Sequence, residues 1–430
     1  MVASRNPAEH KPLRICFVAD GRSPIALNWI SHFTQRDDSV HVISTYPGAV
    51  DDVPGARLHS VPLAFSRLGQ SEKAGVRVAN GRRSKLKTSL AGLRGGVLSS
   101  LSLSAHLWVT PFELHRHVPA VMALINQIAP DLVHAMRIPF EGILAAKAVP
   151  SNVPLVISIW GNDFTLCAAN NHLIARQTRL ALSRADALHC DCQRDLDLAT
   201  RTWGFESEKP SVVLPGAGGV QASLFYPGPP DSQLRRGLSI PDCAPVVFNP
   251  RGFRGYVRND IFFAAIPQVL KRHPGAVFVC AAMQSNPTAE KWVRQLAIAE
   301  NVRLLPPLAR KEMADLFRLA SVAVSPSLHD GTPNTLLEAM ACGCFPVVGD
   351  IESVREWLVD GENGLLCDPT DPDSLARAII RPLDDEELLT RARELNVQLI
   401  AERAEYTRVM QQAEEFYYRI VQRDRVRAQV

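Results

Sequence analysis

The amino-acid sequence predicts an α/β protein built from two doubly wound parallel sheets. Short apolar runs of strand length alternate with amphipathic helical segments through most of the 430 residues, which is the order of an open parallel sheet. A Pro/Gly-rich segment at Tyr226–Asp231 separates two such series. We therefore expect a first domain over 1–225, completed by a C-terminal helix at 402–430, and a second domain over 226–401.

The overall composition is that of an ordinary globular protein without a strong charge imbalance. Hydrophobic residues make up 46% of the chain, charged residues 21%, and the net charge is +3. So small a charge argues against nucleic acid as a partner. The nine cysteines are scattered without paired zinc spacing, which favours free thiols in a reducing compartment. The sequence shows neither a signal-peptide pattern nor a long apolar run, so we expect a cytoplasmic protein.

Apolar runs in the first half predict a series of strands joined by helices. Each run is rich in β-branched or other apolar residues and is bounded by polar turn residues. The predicted strands are Leu13–Ala19, Val40–Ser44, Asp131–His134, Pro154–Ile159, Ala187–His189 and Ser211–Pro215. Helices are predicted at Ile25–Thr34, His117–Ile128 and Asp191–Trp203, and another helix closes at Leu180–Ala185.

A strongly basic segment interrupts this series at residues 64–96. Its lysines and arginines stand against a single acidic residue, Glu72, among Ser, Gly and Ala. A solvated insertion would have this composition. An arm that contacts anionic lipid head groups or a phosphorylated acceptor would have it as well, because each Lys or Arg near an anionic membrane contributes roughly 1 kcal/mol.

The second half repeats the alternation of strands and helices. Its predicted strands are Val246–Phe248, Ala276–Cys280, Val302–Leu305, Ser321–Val324 and Phe345–Val348. Its predicted helices are Asp260–Lys271, Thr288–Glu300, Lys311–Ala320, Thr335–Cys342, Ser374–Ile380 and the long terminal helix Glu402–Gln422. A second α/β domain with a parallel sheet follows from this order.

A polar loop between Ser325 and Val348 contains the most informative residues of the chain. Asp330 lies in the loop and Glu338 lies about one turn into the following helix, with seven residues between them. The backbone N–H groups of residues 331–336 fall at the helix start, where unsatisfied donors and the helix dipole favour an anion such as a phosphate. A loop cap at Asp330 and an exposed position at Glu338 would explain the same residues structurally.

A second polar loop, Arg251–Arg258, contains three arginines just before a predicted helix. Guanidinium groups at a helix entrance can bind a diphosphate through paired hydrogen bonds and stabilise charge on a leaving group. Arg251 is the first candidate, Arg258 is the second, and Arg254 competes with Arg258. A solvated basic turn is the alternative interpretation.

These segments resemble the motifs of retaining GT-B glycosyltransferases of the family 4, group 1 type. Asp330 and Glu338 match the family's acidic pair, although the family usually begins it with Glu, and Glu338-Ala-Met-Ala-Cys-Gly343 matches closely. In the first half, Asp131-Leu-Val-His134 and Trp160-Gly-Asn-Asp163 are similar to segments on the family's acceptor side. The resemblance implies two Rossmann-like domains that face each other across a cleft.

The resemblance also implies transfer of a sugar from a nucleotide-diphosphate sugar to an acceptor hydroxyl, with retention at the anomeric carbon. Asp330 would bind the donor sugar, Glu338 the ribose, and Arg251 and Arg258 the departing diphosphate. The helix start would supply the remaining donor contacts, from Gly331, Thr332, Pro333, Asn334, Thr335 and Leu336. On the acceptor side the implied residues are Arg22, Ser23, Gly161 and Asp163, together with His134 as a catalytic residue.

No metal or other cofactor is expected. Asp371-Pro-Asp373 and Asp195-Leu-Asp197 have the spelling of a metal-binding D-x-D motif, but the first fits a helix N-cap and the second lies inside a predicted helix. The expected partners are a nucleotide-sugar donor and a carbohydrate or lipid-linked acceptor of cell-surface polysaccharide or glycolipid synthesis. The basic segment at 64–96 would permit peripheral contact with the inner face of the plasma membrane.

Three other functions remain open from the sequence. A nucleotide-sugar epimerase or hydrolase shares the two-domain architecture but not the Glu338-Ala-Met-Ala-Cys-Gly343 pattern. A non-catalytic sugar-nucleotide-binding protein of the same fold is suggested by Asp330 and by Gln221, which stands where the family commonly has Asp. A nicotinamide-dependent oxidoreductase is disfavoured because the first loop lacks the G-x-G-x-x-G fingerprint.

Overall fold

A computed structural model describes residues 11–46, 53–63 and 114–427, and the basic segment at 64–96 lies outside the described residues. The chain divides into two compact units. The first unit contains Met1–Asp191, Asp195–Ala217 and Gln412–Val430, and the second contains Cys192–Arg194 and Gly218–Gln411. The Pro/Gly-rich segment at 226–231 therefore lies inside the second unit, and the chain returns to the first unit at Gln412.

The first unit is built on a seven-stranded sheet in the order β3-β2-β1-β4-β5-β6-β7, with every neighbouring pair parallel. Its strands are β1 (Arg14–Ala19), β2 (Ser39–Ser44), β3 (Arg57–Ser60), β4 (Leu132–Ala135), β5 (Leu155–Ile159), β6 (Ala187–Cys190) and β7 (Ser211–Val213). Ile15 of β1 lies opposite Val40 on one side and Leu132 on the other. The strand order therefore reverses between β1 and β4, which is the switch point where open sheets bind ligands.

Helices connect these strands, as expected for parallel crossovers. They are α1 (Pro24–Thr34), α2 (114–128), α3 (Ile143–Ala148), α4 (His172–Arg184) and α5 (Gln193–Arg201). Ser23 caps α1 by accepting a hydrogen bond from the Ala26 backbone N–H, and Pro24 occupies the first turn, where its missing N–H is not needed. Asp195 and Asp197 lie within α5, as predicted.

Two π-helical turns follow consecutive strands of this sheet. One spans Ile138–Gly142 after β4, and the other spans Asp163–Ala168 after β5. The sequence analysis predicted neither of them. Such turns are rare in proteins and occur often at functional sites, so their position at the carboxyl ends of two adjacent strands draws attention to this edge of the sheet.

The second unit is built on a six-stranded sheet in the order β10-β9-β8-β11-β12-β13, again with every neighbouring pair parallel. Its strands are β8 (Val246–Asn249), β9 (Val277–Cys280), β10 (Val302–Leu304), β11 (Val322–Ser325), β12 (Phe345–Gly349) and β13 (Leu365–Cys367). The switch point of this sheet lies between β8 and β11. The last strand, β13, pairs parallel to β12.

The helices of the second half belong to the second unit, except that the last one passes into the first unit at Gln412. They are α6 (Ser232–Gly237), α7 (Asn259–Arg272), α8 (Pro287–Gln295), α9 (Arg310–Leu319), α10 (Asn334–Ala341), α11 (Pro372–Asp384), α12 (Glu386–Arg403) and α13 (Tyr406–Arg427). Asp371 caps α11 by accepting a hydrogen bond from the Asp373 backbone N–H at 2.9 Å, which confirms the predicted capping role.

The terminal helix begins later than predicted because the backbone is interrupted between α12 and α13. The Val220 N–H donates to the Ala404 carbonyl at 2.7 Å, and the Val220 carbonyl accepts from the Tyr406 N–H at 2.9 Å. Gly219 has φ +88°, and a Cβ there would lie 2.3 Å from the Ala404 carbonyl oxygen. Only glycine permits this close approach, which ends α12 and starts α13.

The cysteines and the helices agree with two compositional expectations. All nine cysteines are free, and all except Cys167 and Cys243 are buried. Burial raises the pKa of the Cys342 thiol to about 12, so it is not a reactive thiolate. Among the described helices, none has both the length and the apolar character needed to span a bilayer.

Candidate active site

The loops after β8 and β11 meet at the switch point of the second sheet. Arg251 follows β8 and Asp330 follows β11, and the Arg251 Nη2 donates to Asp330 Oδ2 at 2.6 Å. The two side chains are 9% and 13% exposed. An antiparallel bridge between Val257 and Ser327 also joins the two loops. The sequence therefore brings the predicted arginine and the predicted acid into direct contact. We call Arg251, Asp330, Thr335 and Glu338 the β8/β11 site.

The Arg251 guanidinium also contacts the start of α10. Its Nη1 lies 3.4 Å from the Thr335 Oγ1, and its Nη2 lies 3.4 Å from the Tyr256 hydroxyl. Its Nε is buried without a hydrogen-bond partner among the described residues. Burial raises the pKa of the Asp330 carboxyl, and the neighbouring Arg251 charge opposes that shift. This site therefore holds a buried guanidinium with donor capacity to spare.

The predicted loop from Gly331 to Leu336 contacts this guanidinium through Thr335 and is held by side chains from outside the loop. Ser353 Oγ donates to the Asp330 carbonyl at 2.8 Å, and the Trp357 indole donates to Thr332 Oγ1 at 3.1 Å. Gly331 donates its N–H to Asp330 Oδ1. Pro333 then precedes Asn334, the first residue of α10, and makes no side-chain capping hydrogen bond. Its first-turn N–H groups and dipole suit an anion.

Glu338 lies in α10 with a side chain that is 16% exposed. Its Oε1 lies 3.9 Å from the Arg310 Nη2. Burial raises the pKa of Glu338 to about 7, and the charges of Arg310 and Arg251 oppose the shift. The carboxyl group is therefore protein-bound on one side and open enough to accept a hydrogen bond from a ligand hydroxyl.

The structure separates the two candidates for a second cation. Arg258 donates through Nε and Nη2 to both oxygens of Asp260, at 2.8 and 2.7 Å, and so its guanidinium is occupied beside its own helix. Arg254 is exposed, and its charge lowers the pKa of Asp330. The sequence analysis did not consider that Asp260 would bind the Arg258 guanidinium. It also missed Tyr256, although an aromatic residue between the arginines was visible in the sequence.

The first sheet has a pocket at its own switch point. Its volume is about 100 Å³. It is lined from the ends of β1, β2, β4 and β5 by Asp20, Ser23, Ala26, Tyr46, Met136, Arg137, Phe140, Glu141 and Trp160. We call this the β1/β4 pocket. Of the predicted acceptor-side residues, Ser23 lines it directly.

Asp163 holds one of the lining side chains in place. It is fully buried, its Oδ1 accepts from Arg137 Nε at 2.9 Å, and its Oδ2 accepts from the Trp160 N–H at 3.0 Å. Burial raises the pKa of Asp163, and the Arg137 charge opposes the shift. The neighbouring Gly161 donates its N–H to Asp191 Oδ2 at 3.3 Å. Asp163 therefore positions Arg137 and does not itself line the pocket.

Arg22 also has a carboxylate partner. Its Nε and Nη2 donate to the two oxygens of Asp20 at 3.1 and 3.2 Å. The guanidinium lies 3.6 Å from the centre of the Tyr46 ring, at a cation–π distance. Arg22 therefore packs against Tyr46 and Asp20, two residues that line the pocket.

Glu141 is a pocket residue that the sequence analysis missed. It lies in the π-helical turn after β4, it is only 3% exposed, and its Oε1 accepts from Thr45 Oγ1 at 2.7 Å. Burial raises the pKa of Glu141 to about 7. The sequence offered one indication of this role, an acidic residue inside the apolar run that follows a strand. The contact that accompanies its burial comes from Thr45, which is distant in the sequence, so burial could not be predicted from neighbouring residues.

The structure places His134 in the core and not in the β1/β4 pocket. Its Nδ1 contacts the Tyr417 hydroxyl, which also accepts from the Trp29 indole N–H at 2.9 Å. Its Nε2 lies 2.8 Å from Ser158 Oγ. The ring is fully buried, and both of its nitrogens have partners. The geometry gives His134 a packing role in the first unit.

The same hydrogen-bonded chain continues to β6 and has one consistent direction. His189 Nε2 lies 2.9 Å from the Leu214 carbonyl, so Nε2 must donate and Nδ1 must accept from the Ser158 hydroxyl at 2.8 Å. Ser158 then accepts from His134 Nε2, whose Nδ1 accepts from the hydroxyl of the terminal helix. Burial lowers the pKa of His189 to about 4 and that of His134 well below its usual value, consistent with two neutral rings.

The two parallel sheets have the architecture of the GT-B fold, and both halves of the chain match glycosyltransferase domain families. Residues 21–216 match the glycosyl transferase 4-like domain, and residues 252–385 match the domain described as glycosyl transferases group 1. The predicted GT-B fold is confirmed by solved structures. Sucrose-phosphate synthase from Thermosynechococcus elongatus superposes with a TM-score of 0.71 at 16% identity, covering 95% of this chain and 99% of that one.

Other similar proteins extend this comparison. Structures of HepE from Anabaena in complex with UDP and glucose give a TM-score of 0.67 at 17% identity, covering 94% of this chain and 98% of that one. The D-inositol 3-phosphate glycosyltransferase of Acidothermus cellulolyticus is 31% identical over 44% of this chain and 45% of its own length. Its counterpart in Xylanimonas cellulosilytica is 25% identical over 76% of this chain and 74% of its own length. The chain spans about half the length of the first of these relatives.

Proposed function

We propose that the protein transfers a sugar from a nucleotide-diphosphate sugar to an acceptor hydroxyl. The observation that supports this most directly is the buried Arg251 guanidinium, held by Asp330 beside the start of α10. A cation and a helix N-terminus converging on one point form a site for a diphosphate. Structural neighbours from Anabaena contain UDP and UDP-glucose, which is consistent with a nucleotide-sugar donor.

In this reaction the bond between the anomeric carbon and the diphosphate oxygen breaks, and its electron pair remains on the diphosphate. The acceptor oxygen forms the new glycosidic bond, and its proton passes to an oxygen of the departing diphosphate. Arg251, the N–H groups at the start of α10 and the exposed Arg254 would stabilise the charge that develops on the diphosphate. We propose that the anomeric configuration is retained, as the resemblance to retaining enzymes implies.

The two acids of the β8/β11 site have different proposed roles. Asp330 is already bound to Arg251 through Oδ2, so it orients the guanidinium while its remaining lone pairs face the donor sugar. Within the described part of the chain, Glu338 makes one long ion pair, with Arg310, and we propose that it accepts a hydrogen bond from the ribose. Arg258, which the sequence favoured as a second cation, would reach a diphosphate only after leaving Asp260.

The further details of this proposal rest on the sequence alone. We propose that the reaction needs no metal, which predicts unchanged turnover in the presence of a chelator. A role in cell-surface polysaccharide or glycolipid synthesis fits the family resemblance. Contact between the 64–96 segment and the inner face of the plasma membrane remains a prediction from its basic composition.

The test begins with donor binding and continues with turnover. UDP-, GDP-, ADP- and TDP-sugars are compared by thermal shift, since a ligand at 100 times its Kd stabilises the fold by about 2.7 kcal/mol. The donor that stabilises most is then incubated with and without methyl glycosides, myo-inositol and lipid-linked sugars. Nucleotide release that requires an acceptor and yields a glycosylated product is the expected result.

Each alternative function predicts a different outcome of the same experiment. Epimerised or hydrolysed sugar formed from the donor alone would favour an epimerase or hydrolase. Donor binding without nucleotide release under any acceptor would favour a non-catalytic binding protein. Failure of all four nucleotide sugars to shift the melting temperature would contradict the proposed donor class.

A further inference from the structure

The β1/β4 pocket has a chemistry that donor binding does not require. It lies wholly within the first unit, and its walls combine the aromatic rings of Tyr46, Phe140 and Trp160 with the carboxyl groups of Asp20 and Glu141. Aromatic faces pack against the C–H surface of a saturated ring, and carboxyl oxygens accept hydrogen bonds from its hydroxyl groups. A pocket with mostly apolar walls and a few placed polar groups is typical of a small-molecule site.

Glu141 is placed to use one of its oxygens for a ligand. Within the described residues, the one side chain that donates a hydrogen bond to it is Thr45, and that bond ends on Oε1 at 2.7 Å. The carboxyl group is buried and belongs to the rare π-helical turn at the edge of the pocket. The carboxyl also accepts from its own backbone N–H. No side chain of the described residues donates to Oε2, and a ligand hydroxyl there would offset part of the cost of burying the carboxyl.

The charges around the pocket disfavour an anionic ligand. Arg22 is paired with Asp20, and Arg137 is paired with the fully buried Asp163. Among the described residues of the pocket, each arginine thus has a carboxylate partner, and Glu141 is an additional acid. A phosphate group would meet no net positive charge here, in contrast to the β8/β11 site, where Arg254 adds a second cation to the Arg251–Asp330 pair.

We propose that the β1/β4 pocket binds an uncharged, hydroxyl-bearing ring of the acceptor, and that Glu141 Oε2 accepts a hydrogen bond from one of its hydroxyl groups. The role of this ring as acceptor rests on the proposed sugar transfer, whereas its binding is a property of the first unit alone. Arg137, positioned by Asp163, would donate to a second ring oxygen. Glu141 is thus a specificity-determining residue that selects hydroxyl over phosphate at this subsite.

Binding is tested on the full chain by saturation-transfer NMR without any donor. The uncharged probes are methyl α-glucoside, methyl α-mannoside and myo-inositol, and the charged probes are the monophosphates of glucose, mannose and inositol. At least one uncharged probe is expected to bind, and its phosphorylated counterpart is expected to bind at least about tenfold more weakly. At pH 8, above the raised pKa of about 7, Glu141→Gln should weaken the uncharged probe about tenfold, since a hydrogen bond to a charged acceptor is replaced by one to a neutral amide.

Glu206→Gln is the matched control, because it makes the same change at an exposed glutamate of the same unit. It should leave probe binding unchanged. In turnover assays, Glu141→Gln should raise the acceptor KM while kcat and the donor-induced thermal shift stay at the wild-type values, which a loss of folding would not produce. Binding of no uncharged probe, equal binding of charged and uncharged probes, or unaltered binding by Glu141→Gln would each overturn the proposal.

The two proposals fail in distinguishable ways. A donor-induced thermal shift without binding of any uncharged probe would refute the assignment of the β1/β4 pocket and leave the proposed sugar transfer standing. Probe binding that depends on Glu141, without a shift by any nucleotide sugar, would refute the proposed donor and retain the pocket.

Discussion

Each unit places an arginine–aspartate pair beyond the carboxyl ends of two neighbouring strands of its parallel sheet, yet the two pairs have different surroundings. In the second unit, Arg251 meets Asp330 at 2.6 Å beside the start of α10. In the first unit, Arg137 meets Asp163 at 2.9 Å, and π-helical turns replace the helix start at this position. The Arg251–Asp330 pair of the second unit therefore has helix N–H groups and a further cation nearby. The Arg137–Asp163 pair of the first unit instead has an additional carboxyl nearby, that of Glu141.

The ligands proposed for the two sites differ accordingly, an anion in the second unit and an uncharged ring in the first. A switch point supplies the place, since the carboxyl ends of neighbouring strands diverge there. The segment that follows each strand then decides the chemistry. The start of the α-helix α10 adds positive potential that favours an anion. The π-helical turn after β4 instead carries the buried carboxyl of Glu141, which can accept hydrogen bonds from hydroxyl groups.

The largest expected effect comes from removing the cation of the β8/β11 site. Arg251→Ala should lower kcat by about 10²–10³, because it removes the main stabiliser of leaving-group charge. Arg254→Ala should cost about tenfold, and Arg258→Ala should cost less because Asp260 already occupies that guanidinium. Steady-state turnover with the donor at saturation measures all three variants.

Arg272→Ala provides the control for these variants, since that arginine is exposed on α7 and pairs with Asp384. A melting curve for each variant separates lost catalysis from lost folding. Near-normal kcat in Arg251→Ala would refute the assignment, and a larger loss in Arg258→Ala than in Arg254→Ala would restore Arg258 as the second cation.

An intermediate effect is expected in the buried chain of the first unit. Tyr417→Phe removes the hydroxyl that bonds both Trp29 and His134, so it should lower the free energy of unfolding by about 1–3 kcal/mol. Urea denaturation measures the loss. Tyr418→Phe is the matched variant and should cost less, because that hydroxyl lies 3.3 Å from the Lys11 carbonyl near the surface. A tenfold drop in kcat of folded Tyr417→Phe would instead implicate His134 in turnover.

The smallest expected effect compares the two buried glutamates as pH changes. The pKa of each is raised from 4.5 to about 7 in the folded chain, so the fold binds a proton that the unfolded chain releases in that window. Wild-type stability should therefore fall between pH 4.5 and about 7 relative to Glu141→Gln and Glu338→Gln. Between pH 5 and pH 8, the free energy of unfolding of Glu141→Gln should rise by about 1–2 kcal/mol relative to that of the wild type, and that of Glu338→Gln, at the more exposed site, by about half as much.

Urea denaturation of each variant and the wild type at pH 5 and pH 8 measures this difference. Glu206→Gln, at an exposed position, should show a constant difference from the wild type across the same range. A stability gain that does not grow with pH would show that the two carboxyls are not held neutral by burial.

The sequence predicted the sheet cores well because their strands are continuous apolar runs. Val246–Phe248 and Phe345–Val348, for example, differ from β8 and β12 by one residue at one end. The edge strand β3 was missed because Arg57–Ser60 has a single aliphatic residue, Leu58, and lacks a buried face. The π-helical turns were missed because no residue pattern specifies them. Local periodicity thus determined the core strands, but not the edges or the irregular turns.

The candidate site was predictable only where its residues lie close in sequence. Asp330 and Glu338 belong to one strand–loop–helix unit, so the sequence alone predicted that they lie close together at the carboxyl edge of the sheet. The choice between Arg254 and Arg258 depended on Asp260, and the burial of Glu141 depended on Thr45 from another strand. His134 followed a strand as a ligand residue would, but its ring turned into the core to meet Tyr417. Such outcomes depend on tertiary partners that spacing does not reveal.

The return of the chain to the first unit at Gln412 has a consequence for the order of folding. Trp29 and His134 share their partner in Tyr417, which is synthesised almost four hundred residues after Trp29. During synthesis, the first unit therefore lacks the apolar residues of α13, and the Trp29 indole N–H and His134 Nδ1 lack their hydrogen-bond partner, until α13 leaves the ribosome. The second unit, whose strands are contiguous in the chain, can close first. We expect nascent chains truncated before residue 412 to expose protease-sensitive first-unit sequence beside a protected second unit.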